Sequence, residues 1–369
     1  MKYYIIAGEA SGDLHGGNLI RSLREKDPQA VIRCWGGEQM QQAGGEVVKH
    51  YRELAFMGFA EVIKNLPTIF RNIRWCKKDI EEFQPDILVL IDYPGFNLII
   101  APWAKKKGFK VAYYISPQVW AWKEGRVKKM KLCIDRLMVI LPFEKDYFKN
   151  RWNWEVEYVG HPLVEVINNA LQQAPAKPFS EKPIIALLPG SREQEINKKL
   201  PIMLEVSKQF PAYQFIVAKA PGTRESFYQE ALAQYPNVSW VEGQTYTLLK
   251  QATAALVTSG TATLETALFG VPQVVCYKGS FLSYEIGKRL VKIKYISLVN
   301  LIMDKPVVKE LIQHELTVAN LSKELHKIIL EGVDRPRIKK EYEELRMALS
   351  ATQNASLKAA EIIINLKDK

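Results

Sequence analysis

The chain has 369 residues, 47% hydrophobic and 25% charged, which excludes a disordered, collagenous or coiled-coil protein and allows two or three domains. Its four cysteines, Cys34, Cys76, Cys133 and Cys276, are scattered without a C-x-x-C pair. That excludes a disulfide framework or a cysteine-built zinc site and suits a reducing compartment. Net charge is +11, and residues 105–149 concentrate it, with twelve Lys/Arg against four Asp/Glu. Such a face fits an anionic membrane surface or a phosphorylated substrate, or is simply a well-solvated basic surface; nucleic acid is not expected, because no helix-turn-helix, zinc or RNA-sheet motif accompanies the charge. Met1-Lys2 leads straight into an apolar run, so no signal peptide is expected, and no run of 18 apolar residues would span a bilayer.

In chain order, Lys2–Ala7 reads as a buried strand and Leu14–Glu25 as the helix after it. Further strands are expected at Asp86–Asp92, Lys110–Ser116, Arg136–Leu141 and Val156–Gly160, with Pro85 closing the preceding helix. Connections of this length suit right-handed crossovers in a parallel sheet. The polar, proline-bearing stretch from Asn168 to Pro183 reads as a linker, after which the alternation restarts. Strands are predicted at Ile184–Leu188, Gln214–Ala218, Val238–Val241, Ala254–Val257 and Gln273–Cys276. From Thr317 onward the pattern is helical, including Ile338–Leu349 and Ala355–Ile364. The expected fold class is α/β, with two doubly wound parallel sheets facing a cleft and a helical tail that packs back on the first domain or on a partner subunit. The expected bounds are 1–170, a linker 171–183, 184–345, and a C-terminal helix 346–369.

Ligands of doubly wound sheets lie beyond the carboxyl ends of the strands, so the loops there hold the candidate residues. The first is Gly8-Glu9-Ala10-Ser11-Gly12-Asp13, followed by Leu14-His15-Gly16-Gly17. It departs from the dinucleotide pattern G-x-G-x-x-G, and Glu9 and Asp13 disfavour a pyrophosphate. Glu9, Ser11 and Asp13 are read as lining a polar substrate, with helix capping by Ser11 or Asp13 as the alternative. Asp92 ends an apolar strand, where a carboxylate can act as general base toward a hydroxyl, and Asn97 can orient a sugar. Asp92 as a helix cap is the plainer alternative. Trp120 and Trp122, close to Lys123 and Arg126, suit a sugar face or an acyl chain, or simply wedge into the core. His161 follows the last strand of the first domain as a candidate ligand contact.

In the second domain Gly190, Ser191 and Arg192 open a helix, where first-turn amides and a guanidinium suit phosphate oxygens. Ser259, Gly260, Thr261 and Thr263 form another small-residue loop entering a helix, and Glu265 one turn on can accept from ribose hydroxyls. Together these loops describe a nucleotide-diphosphate pocket. The histidines have no zinc-like spacing, so no metal is expected, and the lack of a G-K-[ST] P-loop disfavours ATP hydrolysis.

The motifs GEASGDLHG, IDYPGFN, SPQVWAWKEGR, VGHPL, LLPGSR, SGTATLE and KYISLVNLIMDKPVVKELIQHE resemble, in order and spacing, the lipid-A-disaccharide synthase family across residues 1–365. That resemblance implies a GT-B glycosyltransferase using UDP-2,3-diacylglucosamine as donor and 2,3-diacylglucosamine 1-phosphate as acceptor. It implies inversion without metal or other cofactor, a β-1',6-linked disaccharide 1-phosphate and UDP as products, and peripheral work at the cytoplasmic face of the inner membrane. It also favours Asp92 as the base toward the acceptor's 6-hydroxyl, adds Asn300 and Gln313 to the donor site, and permits a homodimer exchanging C-terminal elements. The family often has Ala and Asp where this chain has Tyr93 and Gly95, which bears on acceptor contacts. The apolar stretch Leu54–Phe70, with Arg71 and Arg74 beyond it, is a candidate for membrane docking and acyl entry, or a buried helix. The rival readings are a UDP-N-acetylglucosamine 2-epimerase or other UDP-sugar enzyme, and a non-catalytic anionic-lipid binding protein.

Overall fold

The computed structural model describes residues 1–53, 66–220, 223–279, 284, 293–350 and 354–367. Most of the apolar Leu54–Phe70 stretch therefore lies outside the described residues. The chain forms two compact units, Met1–Pro162 with Leu349–Lys369, and Leu163–Ala348.

The first unit holds β1 (Lys2–Ala7), β2 (Val31–Gly36), β3 (Glu46–His50), β4 (Ile87–Ile91), β5 (Lys110–Tyr114), β6 (Arg136–Val139) and β7 (Glu157–Tyr158). They pair in parallel in the order β3-β2-β1-β4-β5-β6-β7. The side chains of β4, and those of β1 from Tyr3 on, are buried on both faces, the pleat sending neighbours to opposite sides. Tyr4, Ile6, Leu88 and Leu90 join one apolar core; Tyr3, Ile5, Ile87 and Val89 join the other. β2 and β3 were not expected. Arg33 interrupts β2, but it stays in the sheet by pairing with Asp79 at 2.7 Å, and β3 is a partly buried edge strand without an apolar run.

The C-terminal helix Ala355–Ile364 closes one face of this sheet. Ala359, Ala360 and Ile363 sit in the second core, Lys26 pairs with Glu361 at 2.8 Å, and Lys358 donates to the Tyr158 carbonyl at 2.7 Å. Burying Ile363 alone is worth roughly 1.5–3 kcal/mol. The small Ala359 and Ala360 let the helix lie close against its neighbour Ala10–Lys26.

The second unit repeats the plan with β8 (Ile184–Leu188), β9 (Gln214–Lys219), β10 (Val238–Glu242), β11 (Ala252–Thr258), β12 (Gln273–Tyr277) and β13 (Lys309–Ile312). Its parallel order is β10-β9-β8-β11-β12-β13. β13, whose Lys309-Glu310-Leu311-Ile312 lacks an apolar run, was also not expected. Residues 168–172, expected in a linker, continue the helix Pro162–Gln172; after it the Lys177 carbonyl and the Phe179 amide bond the side chain of Gln251. In each unit the order reverses at one place, between β1 and β4 and between β8 and β11. Those are the topological switch points of doubly wound sheets.

Candidate active site

At the first switch point the chain leaves β4 under strain. Asp92 and Tyr93 both adopt left-handed backbone, with φ of 42° and 47°, and Ile115 at the end of β5 does so at 64°. For a β-branched residue that conformation is a true outlier, and each such residue costs on the order of 1–3 kcal/mol. The bend is held by the Asp92 carbonyl, which accepts from the Tyr113 hydroxyl at 2.5 Å and the Asn97 amide at 2.8 Å. The Asp92 side chain lines a cavity of about 340 Å³ with Ile115, Ser116, Gln118, Trp122 and Arg126. Burial, and secondarily the charge of Glu9, push its carboxyl up to about 6, while the Tyr93 amide opposes the shift. A carboxylate so raised is ionised near neutrality yet more basic than usual, as a general base requires.

Glu144, not singled out in the sequence, lines the same cavity. Its fully enclosed carboxyl accepts from the amides of Leu141 at 2.9 Å and Ile140 at 3.2 Å and from the Trp120 indole at 3.0 Å; burial pushes it up to about 7. Trp120 is thus held by Glu144 and packed edge-on to Phe143 behind the cavity lining, whereas Trp122 lines the cavity and is 50% exposed beneath the Lys123 ammonium.

Several expected site residues turn out to be scaffold. Asp13 is buried and accepts from the amides of Gly37, Gln39 and Met40 at 2.7, 3.1 and 3.1 Å, fixing the start of the helix Glu38–Gln42. Gly16 and Gly17 lie inside the helix Ala10–Lys26, where a Cβ would collide with Met40 and the Gln39 carbonyl; they serve helix packing. Glu9 and Ser11 remain exposed at its start. Asn97 is fully buried, and its amide donates to the Ile91 and Asp92 carbonyls, so it positions Asp92 and does not reach a sugar. His161 is buried near His15, and burial followed by that neighbour's charge lowers it to about 3. It is an enclosed neutral imidazole.

The second switch point is built from donors. A pocket of about 410 Å³ is lined by Gly190, Ser191 and Arg192 after β8, by Ser259, Gly260 and Thr261 after β11, and by Glu265. Gly190 and Gly260 take φ of 126° and 138°, which a side chain would resist, and lead into the helices Glu193–Ser207 and Thr261–Leu268. The two helix starts and the exposed Arg192 guanidinium suit phosphate oxygens. Behind them Lys199, 3% exposed, donates to the Thr258 hydroxyl and stands 3.9 Å from Glu195. Burial lowers its affinity for a proton. Lys219, also nearly buried and paired with Glu242 at 2.7 Å, lines the wall. Neither lysine was expected here, because only the fold brings the middle of a helix and the end of β9 to this pocket. Glu265 accepts from the Tyr246 hydroxyl at 2.8 Å, and burial raises its carboxyl.

Asn300, Gln313 and Thr263 are occupied elsewhere. Asn300 is buried, donating to the Val308 carbonyl and Glu310 and accepting from the Val308 amide. Gln313 accepts from the Gly279 amide at 3.0 Å, and Thr263 donates to the Gly260 carbonyl at 2.8 Å. They shape the loops around the pocket. Among the described residues no group of three or more His, Cys, Asp or Glu is gathered as metal ligands would be, and no helix is long and apolar enough to cross a membrane.

Comparison with known proteins gives the family and the fold. A lipid-A-disaccharide synthase of Coxiella burnetii is 38% identical over 370 residues, covering 98% of this chain and 97% of its own. That of Syntrophus aciditrophicus is 37% identical over 372 residues, covering 97% of each. Among solved structures, the UDP-GlcNAc 2-epimerase of Neisseria meningitidis bound to UDP-GlcNAc matches with a TM-score of 0.66 at 14% identity, over 99% of both chains. The glycotransferase of kitacinnamycin matches at 0.69 and 15%, over 99% of this chain and 98% of its own. At such identities these structures speak for the fold alone, the GT-B plan of two Rossmann-like domains. The lipid-A-disaccharide synthetase family model matches residues 3–365, and with relatives this similar over nearly their whole length, the chain belongs to that family of glycosyltransferases.

Proposed function

We propose that this enzyme moves a 2,3-diacylglucosaminyl group from UDP to the 6-hydroxyl of 2,3-diacylglucosamine 1-phosphate, yielding the β-1',6-linked disaccharide 1-phosphate and UDP. The observation that carries the site assignment is Asp92, a carboxylate raised to about 6 on a strained strand end, in a cavity that Arg126 also lines. Asp92 takes the proton of the 6-hydroxyl as its oxygen bonds to the donor's anomeric carbon. The bond from that carbon to the phosphate oxygen breaks, its electron pair leaves with UDP, and the anomeric centre inverts. The charge developing on the diphosphate meets Arg192, the two helix starts and the buried Lys199. Arg126 offers a counter-charge to the acceptor phosphate.

On the same footing the protein works peripherally at the cytoplasmic face of the inner membrane. Exposed Phe70, Trp75 and Leu132, with the cations Arg126, Lys128, Lys129 and Lys131, support contact with an anionic lipid surface.

An assay without added metal, with both diacylated substrates in detergent micelles, tests this by following UDP and disaccharide together. Stoichiometric formation of both is expected. Folded enzyme that binds UDP but makes no disaccharide would overturn the reading and turn attention to simpler UDP-sugars.

A further inference from the structure

A second depression opens beside the Asp92 cavity. It has a volume of about 190 Å³ and lies between the helices Pro94–Lys106 and Arg126–Cys133. Its lining is apolar where Leu98, Met130 and Cys133 meet, and Arg126 and Lys129 supply cations. Pro94 and Arg126 line both this groove and the Asp92 cavity, so the two spaces adjoin. Gly95 lines it without filling it: apart from its chain neighbours and its own helix backbone, no described atom lies within 4 Å of where its Cβ would stand.

We infer that this groove holds one acyl chain of the lipid acceptor, whose sugar phosphate sits in the adjoining Asp92 cavity with Arg126 at the junction. The inference rests on the substrate reading above. A ligand using both spaces needs a hydroxyl for the carboxylate, an anion for the guanidinium and a flexible alkyl chain for the apolar walls, all in one molecule. An acylated sugar phosphate has these three parts. An apolar peptide would leave Arg126 and Asp92 unanswered. A flat bilayer surface would meet outward residues such as Leu132, which is 79% exposed, and would leave a recess unfilled at a loss of packing contacts.

The test uses the full-length enzyme and a series of acceptors sharing one sugar phosphate, with acyl chains shortened stepwise to acetyl. In wild type kcat/KM should climb about three- to fourfold per methylene until the groove is full. Gly95→Phe, which fills the groove from its own wall, should cut the long-to-short ratio of kcat/KM by at least about tenfold. Should that variant fail to fold, Ile99→Asp, on a residue 44% exposed in the groove wall, repeats the comparison. A photoreactive group at the chain end of the acceptor should label the peptide containing Met130 in wild type, and this readout needs no turnover.

An unchanged chain-length dependence in both variants, or labelling elsewhere, overturns the inference. So does a proportional fall for long and short acceptors with weaker sedimentation on anionic phosphatidylglycerol vesicles, which would make the face a bilayer contact instead. If wild type is labelled at Met130 yet forms no disaccharide, the proposed reaction fails while the groove assignment stands.

Discussion

The two units share the strand order of a doubly wound sheet, and each candidate site takes in the end of the strand just past the switch, β4 or β11, yet the two are built from opposite materials. After β4 and β6 the chain spends strain and burial on acids: Asp92 and Glu144 are both raised, to about 6 and about 7. After β8 and β11 it spends glycine turns and helix starts on donors, and the nearly buried ammonium of Lys199 stands behind them. A switch point supplies only a crevice at strand ends. The sign of the charge placed there decides whether it withdraws a proton or receives an anion.

Removing the acid is expected to have the largest effect. Asp92→Asn should lower kcat by about 10²–10⁴, the usual worth of a positioned base. A base must be deprotonated to act, so wild-type kcat/KM should rise with pH through about 6 and then level. The variant should lose that limb while binding UDP as before by calorimetry. Wild-type rates that stay flat across this pH range would leave Asp92 as an orienting group only. On the donor side, Lys199→Met keeps the stem and deletes the charge. It should weaken UDP binding about 10- to 100-fold, the worth of one charged hydrogen bond. Undiminished affinity would reduce Lys199 to a brace for Thr258.

Glu144 sharpens the contrast within the acid site. Its two backbone donors and the Trp120 indole all present N–H groups to one carboxyl. Glu144→Gln turns one acceptor oxygen into a donor, so one of these contacts becomes donor against donor. The expected result is a several-fold rise in acceptor KM with a shift of tryptophan emission, and UDP affinity unmoved. An unaltered emission spectrum would show that Trp120 is held by packing alone.

How much of this was legible beforehand follows the same division. Buried parallel strands announce themselves as apolar runs, so β1, β4, β5, β8 and β11 and the loops after them could be read directly. Strands that carry a charge or lie at an edge, as β2, β3 and β13 do, give no such run. The small-residue loops pointed to Arg192, Ser259 and Gly260, which line one pocket, because their chemistry is local. Asp13, Asn97 and Asn300 misled because a short polar side chain serves backbone amides and carbonyls as readily as a ligand, and only tertiary contacts show which. Glu144, Lys199 and Lys219 were missed for the converse reason. In a sequence they look like solvated helix or strand-end charges, and burial is what gives them a role.

The smallest effect tests whether buried ionisable groups of the first unit pull its stability in opposite directions. His15 is buried in the helix Ala10–Lys26, and burial lowers it to about 4. Between its ordinary value of 6.5 and about 4, the unfolded chain takes up a proton that the folded one refuses, so stability falls as pH falls. Glu144 runs the other way. Between about 7 and its ordinary 4.5 the folded chain holds a proton that the unfolded one has released, so acidification through that window adds stability. Thermal melts from pH 7 to 4 should therefore lose less Tm on acidification in His15→Gln than in wild type, and more in Glu144→Gln. Each kcal/mol of such difference shows as about 2–4 °C in a unit of this size. Parallel profiles for all three proteins would mean that burial is relieved before either group titrates, and that acid opens the unit at its surface first.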